Sequence, residues 1–459
     1  MNRDVAPWLA ASLGAAVLGV PIAFSGTWGA FVLIALFFTV VFGAIASAMR
    51  TEADHTWLFK WVMFGFMAKI LGTLARHYMV AVYYGYGDSG RYYRVGLEIA
   101  DQFRMGQIPE FTQPTGAFGT RVVEFITGGL FTPFTPDLMG GFLIFAIFAY
   151  AGQVMFYAAF RRWAKPSQLK PYAFLIFLLP TYAFWPSSIG KDALVVFALG
   201  GAAYFIARVL EAYEIRWLLG LGLFLGLLGL IRIHIAGLVV LGLIPAGILS
   251  RMLHRGMAAA KLRRLLVLGG LVAAGGFVLA VFPDVFGFDI AAGADSLDSF
   301  TTEVVRRTSE RGTVASGGAV TSPLDVPDAI ALVLFRPFIF EASELQHLFA
   351  AAETTVLLGL TVLMLPAILR NRKKWRANAY IVFSTFYTLA FAVAFSVVRN
   401  LGIIARQRGQ VLAFFLCLIV GLGWPEKEDR GRPTGPKRVA TPSSTSPPAP
   451  PPRVPAPVR

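Results

Sequence analysis

The sequence has little charge and almost no cysteine. Charged residues make up 15% of the 459 positions and hydrophobic residues 56%, whereas a soluble domain carries roughly 25% charge. A soluble core could not bury this much apolar sequence, so the fold is predicted to be all-α and polytopic in a membrane. The single cysteine, Cys417, excludes an internal disulfide and most thiolate metal sites.

The sequence also lacks the short motifs of several enzyme classes. It contains no Walker A sequence, no GxGxxG leading out of a strand, no HExxH and no GxSxG. These absences argue against an ATP-driven pump and a zinc protease. The formal net charge of +15 would suggest nucleic-acid binding in a soluble protein. Here the basic residues lie in short loops between apolar runs and in the tail, a pattern that reports membrane topology instead.

Apolar runs that can cross a hydrocarbon layer recur along the chain. Because a second run follows the first almost at once, the first is predicted to be a retained helix and not a signal peptide. On the criterion of about 30 Å at 1.5 Å per residue, we predict about twelve transmembrane spans: Trp8–Phe24, Phe31–Met49, Trp57–Val82, Leu138–Phe160, Pro171–Phe184, Asp192–Leu210, Trp217–Ile231, Ile233–Leu249, Leu265–Phe282, Ala350–Leu369, Ala379–Val398 and Ile404–Leu422.

The basic residues orient these spans. If the N-terminus is cytoplasmic, the loops on that side hold nearly all of the clustered Lys and Arg residues, as the positive-inside rule requires. Both termini are then cytoplasmic, and the protein is predicted to be a multi-pass protein of the inner or plasma membrane. The cytoplasmic loops would contain Arg50, Arg161, Arg162, Lys165, Lys170, Arg208, Arg216, Arg251, Arg255, Lys261, Arg263, Arg264, Arg370, Arg372, Lys373, Lys374 and Arg376.

The opposite side is predicted to carry two long loops, at about 83–137 and 283–348. The first contains an amphipathic pattern after Asp88 that predicts a helix lying on the outer surface. The second is rich in Gly, Ser and Thr and is compatible with a lid or with an unstructured connection. Within it, Ala329–Phe340 is too short to span and is predicted to be an interfacial or re-entrant helix.

The last part of the chain differs in composition from the rest. Residues 425–459 are Pro- and Ser-rich and basic, and they include the run "TPSSTSPPAPPPRVPAPVR". Such a segment has too few apolar residues to form a core, so it is predicted to be a disordered cytoplasmic tail. The polytopic domain is accordingly expected over residues 1–424.

The first candidate for chemistry is the stretch "YYGYGDSGRYY", which contains Asp88, Arg91, Tyr92 and Tyr93. It follows the third predicted span directly, on the side with few basic residues. Asp88 is a candidate catalytic acid or base, and the other three are candidate substrate-binding residues. The alternative is that Asp88 caps the amphipathic helix, where a carboxylate is favoured.

The second candidate is "FWPSSIGKDAL", where two predicted spans meet at the outer side with almost no loop. Lys191 and Asp192 begin the second of these helices. A helix N-terminus with hydroxyls and a lysine is suited to binding an anion. The alternative is that Lys191 extends to lipid headgroups while Asp192 caps the helix.

Two further motifs place arginines at the same side. In "LIRIHIAG", Arg232 stands between two apolar runs with no loop, so its guanidinium must face a partner, a cavity or the interface. His234 follows two residues later and is of secondary interest. In "VVRNLGIIARQRGQ", the guanidiniums offer planar recognition of phosphate or carboxylate. The candidates there are Arg399, Arg406 and Arg408, with Arg336 of "FRPF" as a further one.

Together these residues predict a cavity for a lipid-linked phosphate at the outer leaflet. Arg and Lys would bind the diphosphate, tyrosines would contact sugar rings, and Asp88 would orient or deprotonate an acceptor hydroxyl. Arg232 would assist the departure of the lipid phosphate. A divalent metal is compatible with this chemistry, but no cluster of His and Asp requires one. The hypothesis demands that Asp88, Lys191, Arg232 and Arg406 converge.

The motifs also resemble two families. The order of "GDSGRYY", an outer amphipathic helix and "P…FWPSSIGKDAL" resembles the GT-C superfamily of polytopic glycosyltransferases. That resemblance implies lipid-phosphate sugar donors and a catalytic role for Asp88. "LIRIHIAG" and "GIIARQRGQ" are more similar to bacterial polysaccharide polymerases of the Wzy/EpsG type, which implies arginines that bind a polyprenyl-diphosphate-linked glycan. Two spans precede the third, which leads into the acidic loop, and the acid is single, which departs from the GT-C pattern.

Three functional hypotheses follow. The leading one is a membrane glycosyltransferase or glycan polymerase of bacterial cell-envelope assembly, with a polyprenyl-phosphate-linked sugar and membrane lipids as its partners. The alternative is a secondary transporter or flippase for a lipid-linked glycan. The residues that favour the alternative are Lys69, Arg76 and His77 in the third span, the first two on one helical face. A membrane scaffold would explain the tail but not the outer arginines.

Overall fold

The computed structural model describes residues 29–51, 54, 56–83, 85, 87–110, 118–212, 214–253, 323–342, 345–375, 377–398 and 400–425. Several predictions lie outside these residues. They are the spans Trp8–Phe24 and Leu265–Phe282, most of the second long loop, the tail and Arg399.

The secondary structure of the described residues consists of helices joined by turns and loops, with no strand, as predicted. Short 3₁₀ turns at Pro323–Asp325, Ile339–Glu341 and Arg408–Gln410, and π turns at Met79–Tyr83 and Ile419–Gly423, complete it. The α-helices are α1 Gly29–Met49, α2 Leu58–Tyr78, α3 Gly87–Arg104, α4 Phe118–Phe131, α5 Leu138–Arg161, α6 Pro166–Leu178, α7 Pro180–Phe184, α8 Lys191–Glu211, α9 Ile215–Leu253, α10 Val326–Phe335, α11 Leu345–Arg370, α12 Arg372–Trp375, α13 Ala379–Phe395, α14 Leu401–Gln407 and α15 Leu412–Leu418.

Six helices within the described ranges are long and apolar enough to cross a membrane. They lie at Gly29–Met49, Leu58–Tyr83, Leu138–Arg161, Lys191–Glu211, Ile215–Leu249 and His347–Arg370. A seventh crossing is added if the pair Leu401–Gln410 and Leu412–Gly423, bent by 64°, is counted as one span. The chain is therefore a membrane protein by the length and composition of its helices, while the number twelve is not confirmed.

Prolines explain two differences from the predicted spans. The expected span Pro171–Phe184 is broken, because Leu179 precedes Pro180 and has the non-helical ψ of 129°. The predicted short helix Ala329–Phe340 begins earlier and ends at Phe335, because Arg336 precedes Pro337 and is extended. In both cases the proline ring disfavours the α conformation of the residue before it.

Helix α9 changes direction at Arg232, which has φ −147° and ψ 85°. The half before Arg232 packs on α8, where Phe224 lies against Gly201. The half after it packs on α13, where Gly242 lies against Phe383. Arg232 is thus the apex between two helical halves with different neighbours, which agrees with the expected junction between two apolar runs.

Hydrogen bonds collect several predicted cytoplasmic loops at one end of the bundle, here called the Trp163 end. The Trp163 indole donates to Ala207 O over 3.3 Å, and Asn378 donates to Trp163 O over 3.3 Å. Arg161 donates to Met49 O. These described basic loops therefore share one end, as the charge pattern predicts. The side of the membrane that this end faces stays a prediction.

At the other end, here called the Asp88 end, α3 and α4 form a pair inside the predicted loop 83–137. Helix α3 confirms the predicted amphipathic helix, with Tyr92 and Ile99 buried and Arg94 and Glu98 exposed. Helix α4 was not predicted. The two helices approach closely because Gly96 and Gly128 leave room for side chains of the facing helix.

Candidate functional site

A cavity of about 310 Å³ opens at the Asp88 end. Five helices contribute to its wall, and six of the predicted site residues meet in it, among them the four that the hypothesis of a common site requires. Their roles in binding or catalysis stay predictions. The wall consists of Asp88, Arg91 and Tyr92 from α3, Thr120 from α4, Lys191 from α8, Arg232 from α9, and Ile403, Arg406 and Gln407 from α14.

Local backbone geometry brings α3 to the cavity. Gly85 and Gly87 have φ of 61° and 42°, a left-handed conformation that glycine adopts without strain. They turn the chain between the third span and α3. Asp88 then lies in the first turn of α3, exposed and beside the cavity. This position suits a carboxylate near the positive end of a helix dipole, so the capping and catalytic hypotheses for Asp88 are both compatible with it.

Tyr92 forms the buried part of the α3 wall and is 5% exposed. Burial raises the pKa of its phenol above the usual range, and the hydrogen bond with Thr120 lowers it in part, while the nearby Asp88 raises it further. Tyr92 is therefore a neutral phenol at physiological pH. Such a group can donate a hydrogen bond to a ligand and offers its ring face to a sugar.

A buried carboxylate holds the two central arginines. Arg232 Nη2 donates to Asp192 Oδ1 over 2.8 Å, and Arg406 Nε donates to Asp192 Oδ2. The Arg232 and Asp192 side chains are each 10% exposed. A charge at this depth needs a partner, because its desolvation would otherwise cost several kcal/mol. Asp192 thus fixes the arginines from behind and is not among the residues that line the cavity, while its role in binding stays a prediction.

Gln407 holds the Arg232 guanidinium from another direction. Its Oε1 accepts hydrogen bonds from Arg232 Nη1 and from Gln410 Nε2. The planar guanidinium of Arg232 is therefore held by Asp192 on one side and Gln407 on the other. A group fixed in this way loses little conformational entropy when it binds a ligand.

Positive charge is in excess around the cavity. Its wall contains four cations, Arg91, Lys191, Arg232 and Arg406, and one acid, Asp88. Asp192, behind the wall, offsets one of these positive charges. On the α4 side, Glu124 accepts from Arg91 Nε over 3.1 Å, but it is shared with Arg121 over 3.2 Å. The arrangement is therefore suited to an anionic ligand.

Three other predicted binding residues lie away from this wall. The Tyr93 hydroxyl donates to Pro136 O over 3.0 Å, and its ring contacts Phe131. His234 packs against the ring of Phe395. Arg408 is fully buried, and its Nη2 donates to Arg336 O over 2.7 Å. Neighbours along the sequence point in different directions on a helix, so these residues support the structure around the site instead of lining it.

Sequence reasoning missed Thr120, Ile403 and Gln407 in the wall and Glu124 behind it. Gln407 lies between two arginines that were singled out, so the motif "ARQRGQ" already contained it. Glu124 had a signal in its spacing of three from Arg121, which is typical of one helical face. Thr120 and Ile403 have no distinguishing pattern around them.

A second group of charges surrounds the break between α6 and α7, inside the bundle. Lys69, which is 1% exposed, donates to Tyr182 O over 2.6 Å. Glu353, which is 6% exposed, accepts from the backbone N of Thr181 over 2.7 Å. Both groups thus bind backbone atoms of the short helix α7, whose terminal N–H and C=O groups lack partners within the helix. Glu353 was missed, although an acid within an apolar run is a signal in itself.

Two further findings concern the site. Among the described residues, no group of three or more His, Cys, Asp or Glu side chains is arranged to hold a metal ion. Comparison with known protein families, with curated proteins and with solved structures gives no match. The functional argument therefore rests on the geometry of the cavity.

Proposed function

We propose that the protein is a membrane glycosyltransferase or glycan polymerase that uses a polyprenyl-phosphate-linked sugar in bacterial cell-envelope assembly. The observation that carries the proposal is the convergence of Asp88, Lys191, Arg232 and Arg406 on one cavity with excess positive charge. An acid beside a set of cations is the combination that transfer from a phosphate leaving group needs. The families that the motifs resemble use the same type of donor.

The cations bind the phosphate part of the donor. Arg232 and Arg406 present guanidinium groups whose orientation is fixed by Asp192. Lys191 adds a charge at the N-terminus of α8, where backbone N–H groups also favour an anion. The cavity of about 310 Å³ is at the small end of the range for ligand pockets, roughly 300–1,000 Å³. It holds a diphosphate and the first sugar, while the polyprenyl chain lies in the membrane.

Asp88 acts on the acceptor. Its carboxylate accepts the proton of an acceptor hydroxyl as that oxygen forms a bond to the anomeric carbon of the donor sugar. The bond between the anomeric carbon and the phosphate oxygen breaks at the same time, and its electron pair leaves with the polyprenyl diphosphate. Arg232, Arg406 and Lys191 stabilise the negative charge that develops on this leaving group. Tyr92 contacts the sugar ring.

The test is product formation from a polyprenyl-diphosphate-linked sugar by the purified full-length protein in proteoliposomes. Asp88→Asn is expected to lower the rate by about 100-fold or more, the scale of general base catalysis. Arg232→Gln is expected to abolish donor binding. The matched control is Glu98→Gln, which removes an exposed carboxylate from the same helix α3. Full activity of both Asp88→Asn and Arg232→Gln would refute the proposal.

A transporter or flippase is the second candidate, and the buried charges Lys69 and Glu353 favour it. These groups lie within the bundle, where a translocation path would need them. The two functions separate in one pair of assays on Glu353→Gln. A transporter would lose movement of the lipid-linked glycan between leaflets, whereas a transferase would retain product formation when donor and acceptor are supplied to the cavity side.

A further inference from the structure

A second concave surface lies at the Trp163 end, where α11 and α12 meet α13 and α15. It is a groove of about 670 Å³ whose floor is apolar, with Ile368, Leu369, Leu418 and Leu422. Arg372 and Lys373 border it on α12. The groove thus combines a hydrocarbon surface with two cations at one rim.

Hydrogen bonds hold the frame of this groove. Asn371 donates to Leu422 O over 2.8 Å and ties the junction of α11 and α12 to the π turn Ile419–Gly423. The Trp375 indole donates to Thr385 Oγ1 over 2.8 Å and fixes α12 on α13. The groove therefore has a defined shape, and Trp375 lines it five residues beyond the candidate span His347–Arg370. Aromatic residues near the ends of spans commonly anchor proteins at membrane interfaces.

We propose that this groove binds one anionic phospholipid, with an acyl chain on the apolar floor and the phosphate on Arg372 and Lys373. Both cations are exposed, and in the described part of the chain neither has an ion-pair partner. The segment 370–376 contains five basic residues and no acid. Charge complementarity therefore selects an anionic headgroup, and the apolar floor selects an amphiphile over a free phosphate.

Charge also argues against the chain's own tail as the occupant. Residues 426–459 contain seven basic and three acidic residues. A net positive segment would be repelled by the segment 370–376, whose charge has the same sign. The groove is at the opposite end of α11 from His347, which lies beside Gly402 of α14. The proposal is thus independent of the chemistry in the cavity.

The test measures lipid binding to the full-length protein by native mass spectrometry and by thermal unfolding in detergent. Phosphatidylglycerol and phosphatidylcholine with the same acyl chains are the probes. The wild type is expected to bind phosphatidylglycerol at least tenfold more tightly and to gain thermal stability from it alone. R372A/K373A is expected to lose about tenfold or more of this affinity, since basic residues near anionic lipid add directly to its attraction.

The matched control is R370A/K374A, which removes two charges from the same segment outside the groove wall. It is expected to keep the selective binding. Leu369→Ser removes part of the apolar floor at an exposed position and is expected to weaken binding with both cations intact. Inorganic phosphate at the same concentration is expected to have no effect.

Three results would overturn the proposal. Equal losses in the two double variants would mean diffuse attraction by the basic segment. A full effect of inorganic phosphate would mean an anion site without a lipid. Binding that appears only after deletion of residues 426–459 would mean that the tail occupies the groove. The R372A/K373A variant is expected to retain product formation, so loss of lipid binding and failure of the transferase proposal are distinguishable.

Discussion

The cavity at the Asp88 end and the groove at the Trp163 end are both lined by cations, but they hold these cations in different ways. At the Asp88 end, Arg232 and Arg406 share the buried carboxylate of Asp192, and Arg91 contacts Glu124. At the Trp163 end, Arg372 and Lys373 are exposed at the rim of an apolar groove. The first arrangement fixes the direction of each guanidinium, whereas the second supplies charge on flexible side chains.

The difference has a physical origin in desolvation. A buried cation costs too much free energy without an anion and hydrogen bonds around it, so the cavity contains acids as well as bases. An exposed cation remains hydrated and needs no partner, and its ion pairs contribute little to stability. The acids around the cavity therefore indicate that its cations are held in fixed orientations. The absence of paired acids at Arg372 and Lys373 among the described residues indicates that these cations act by attraction of negative charge.

The largest expected effect on stability comes from removing the buried carboxylate that distinguishes the cavity from the groove. Asp192→Ala leaves Arg232 and Arg406 without their shared partner, which is expected to cost about 3–5 kcal/mol in the free energy of unfolding. The control is Asp101→Ala. Asp101 pairs with Arg104 over 2.6 Å in an exposed position, where a loss of at most about 1 kcal/mol is expected. Equal losses of stability for the two variants, measured by thermal unfolding, would contradict the distinction between buried and exposed ion pairs.

A smaller loss of stability is expected when an added side-chain atom pushes α4 away from the apex of α9. A Cβ at Gly119 would collide with the carbonyl oxygen of Ile231, next to Arg232. Gly119→Ala is therefore expected to destabilise by about 1–3 kcal/mol and to weaken donor binding. Gly129→Ala on the same helix has no atom within 4 Å of the new Cβ and is the control. It should be neutral or slightly stabilising.

A charge-conserving change tests whether the orientation of the guanidinium matters for binding in the cavity but not in the groove. Arg406→Lys keeps the charge but loses the planar fork, and donor affinity is expected to fall about tenfold, which corresponds to roughly 1.4 kcal/mol from a charged hydrogen bond. Arg372→Lys in the groove is expected to leave phosphatidylglycerol binding nearly unchanged. Similar losses for both changes, measured as ratios of dissociation constants, would show that the two ends do not differ in this respect.

The smallest expected effect concerns the phenol in the cavity wall. Tyr92→Phe removes the hydrogen bond with Thr120 and is expected to cost about 1 kcal/mol of stability. Thr120→Val should cost a similar amount, and the double variant should lose little more than either single one. Fully additive losses in this double-mutant cycle would mean that the two side chains do not interact.

Part of the site could be predicted because a charged residue within an apolar run is visible in the local sequence. Arg232 drew attention as an arginine between two apolar runs, and the structure has an apex there. Helix α3 was predictable because apolar and charged residues are mixed after Asp88 in an amphipathic pattern. Helix α4 was missed, since its short apolar stretch in a long polar connection gives a weaker pattern than a span.

The partners of each residue could not be predicted in the same way. Arg406 and Arg408 are two residues apart, yet Arg406 lines the cavity and Arg408 is buried beside Arg336 O. Asp192 follows Lys191 directly, but it faces the arginines from behind the wall. These outcomes depend on which helix packs against which face, and a periodic pattern identifies a face without identifying its neighbour.

The sequence by itself determined that the chain forms apolar helices, that its basic loops belong to one side, and that an acid, a lysine and arginines occur on the other. These properties follow from residue composition and spacing, because hydrocarbon excludes charge and a helix repeats every 3.6 residues. Only the tertiary structure decided that Asp88, Lys191, Arg232 and Arg406 share one cavity and that Asp192 holds two of them. Contacts between residues 40 to 214 positions apart depend on close packing between helices, which local spacing does not encode.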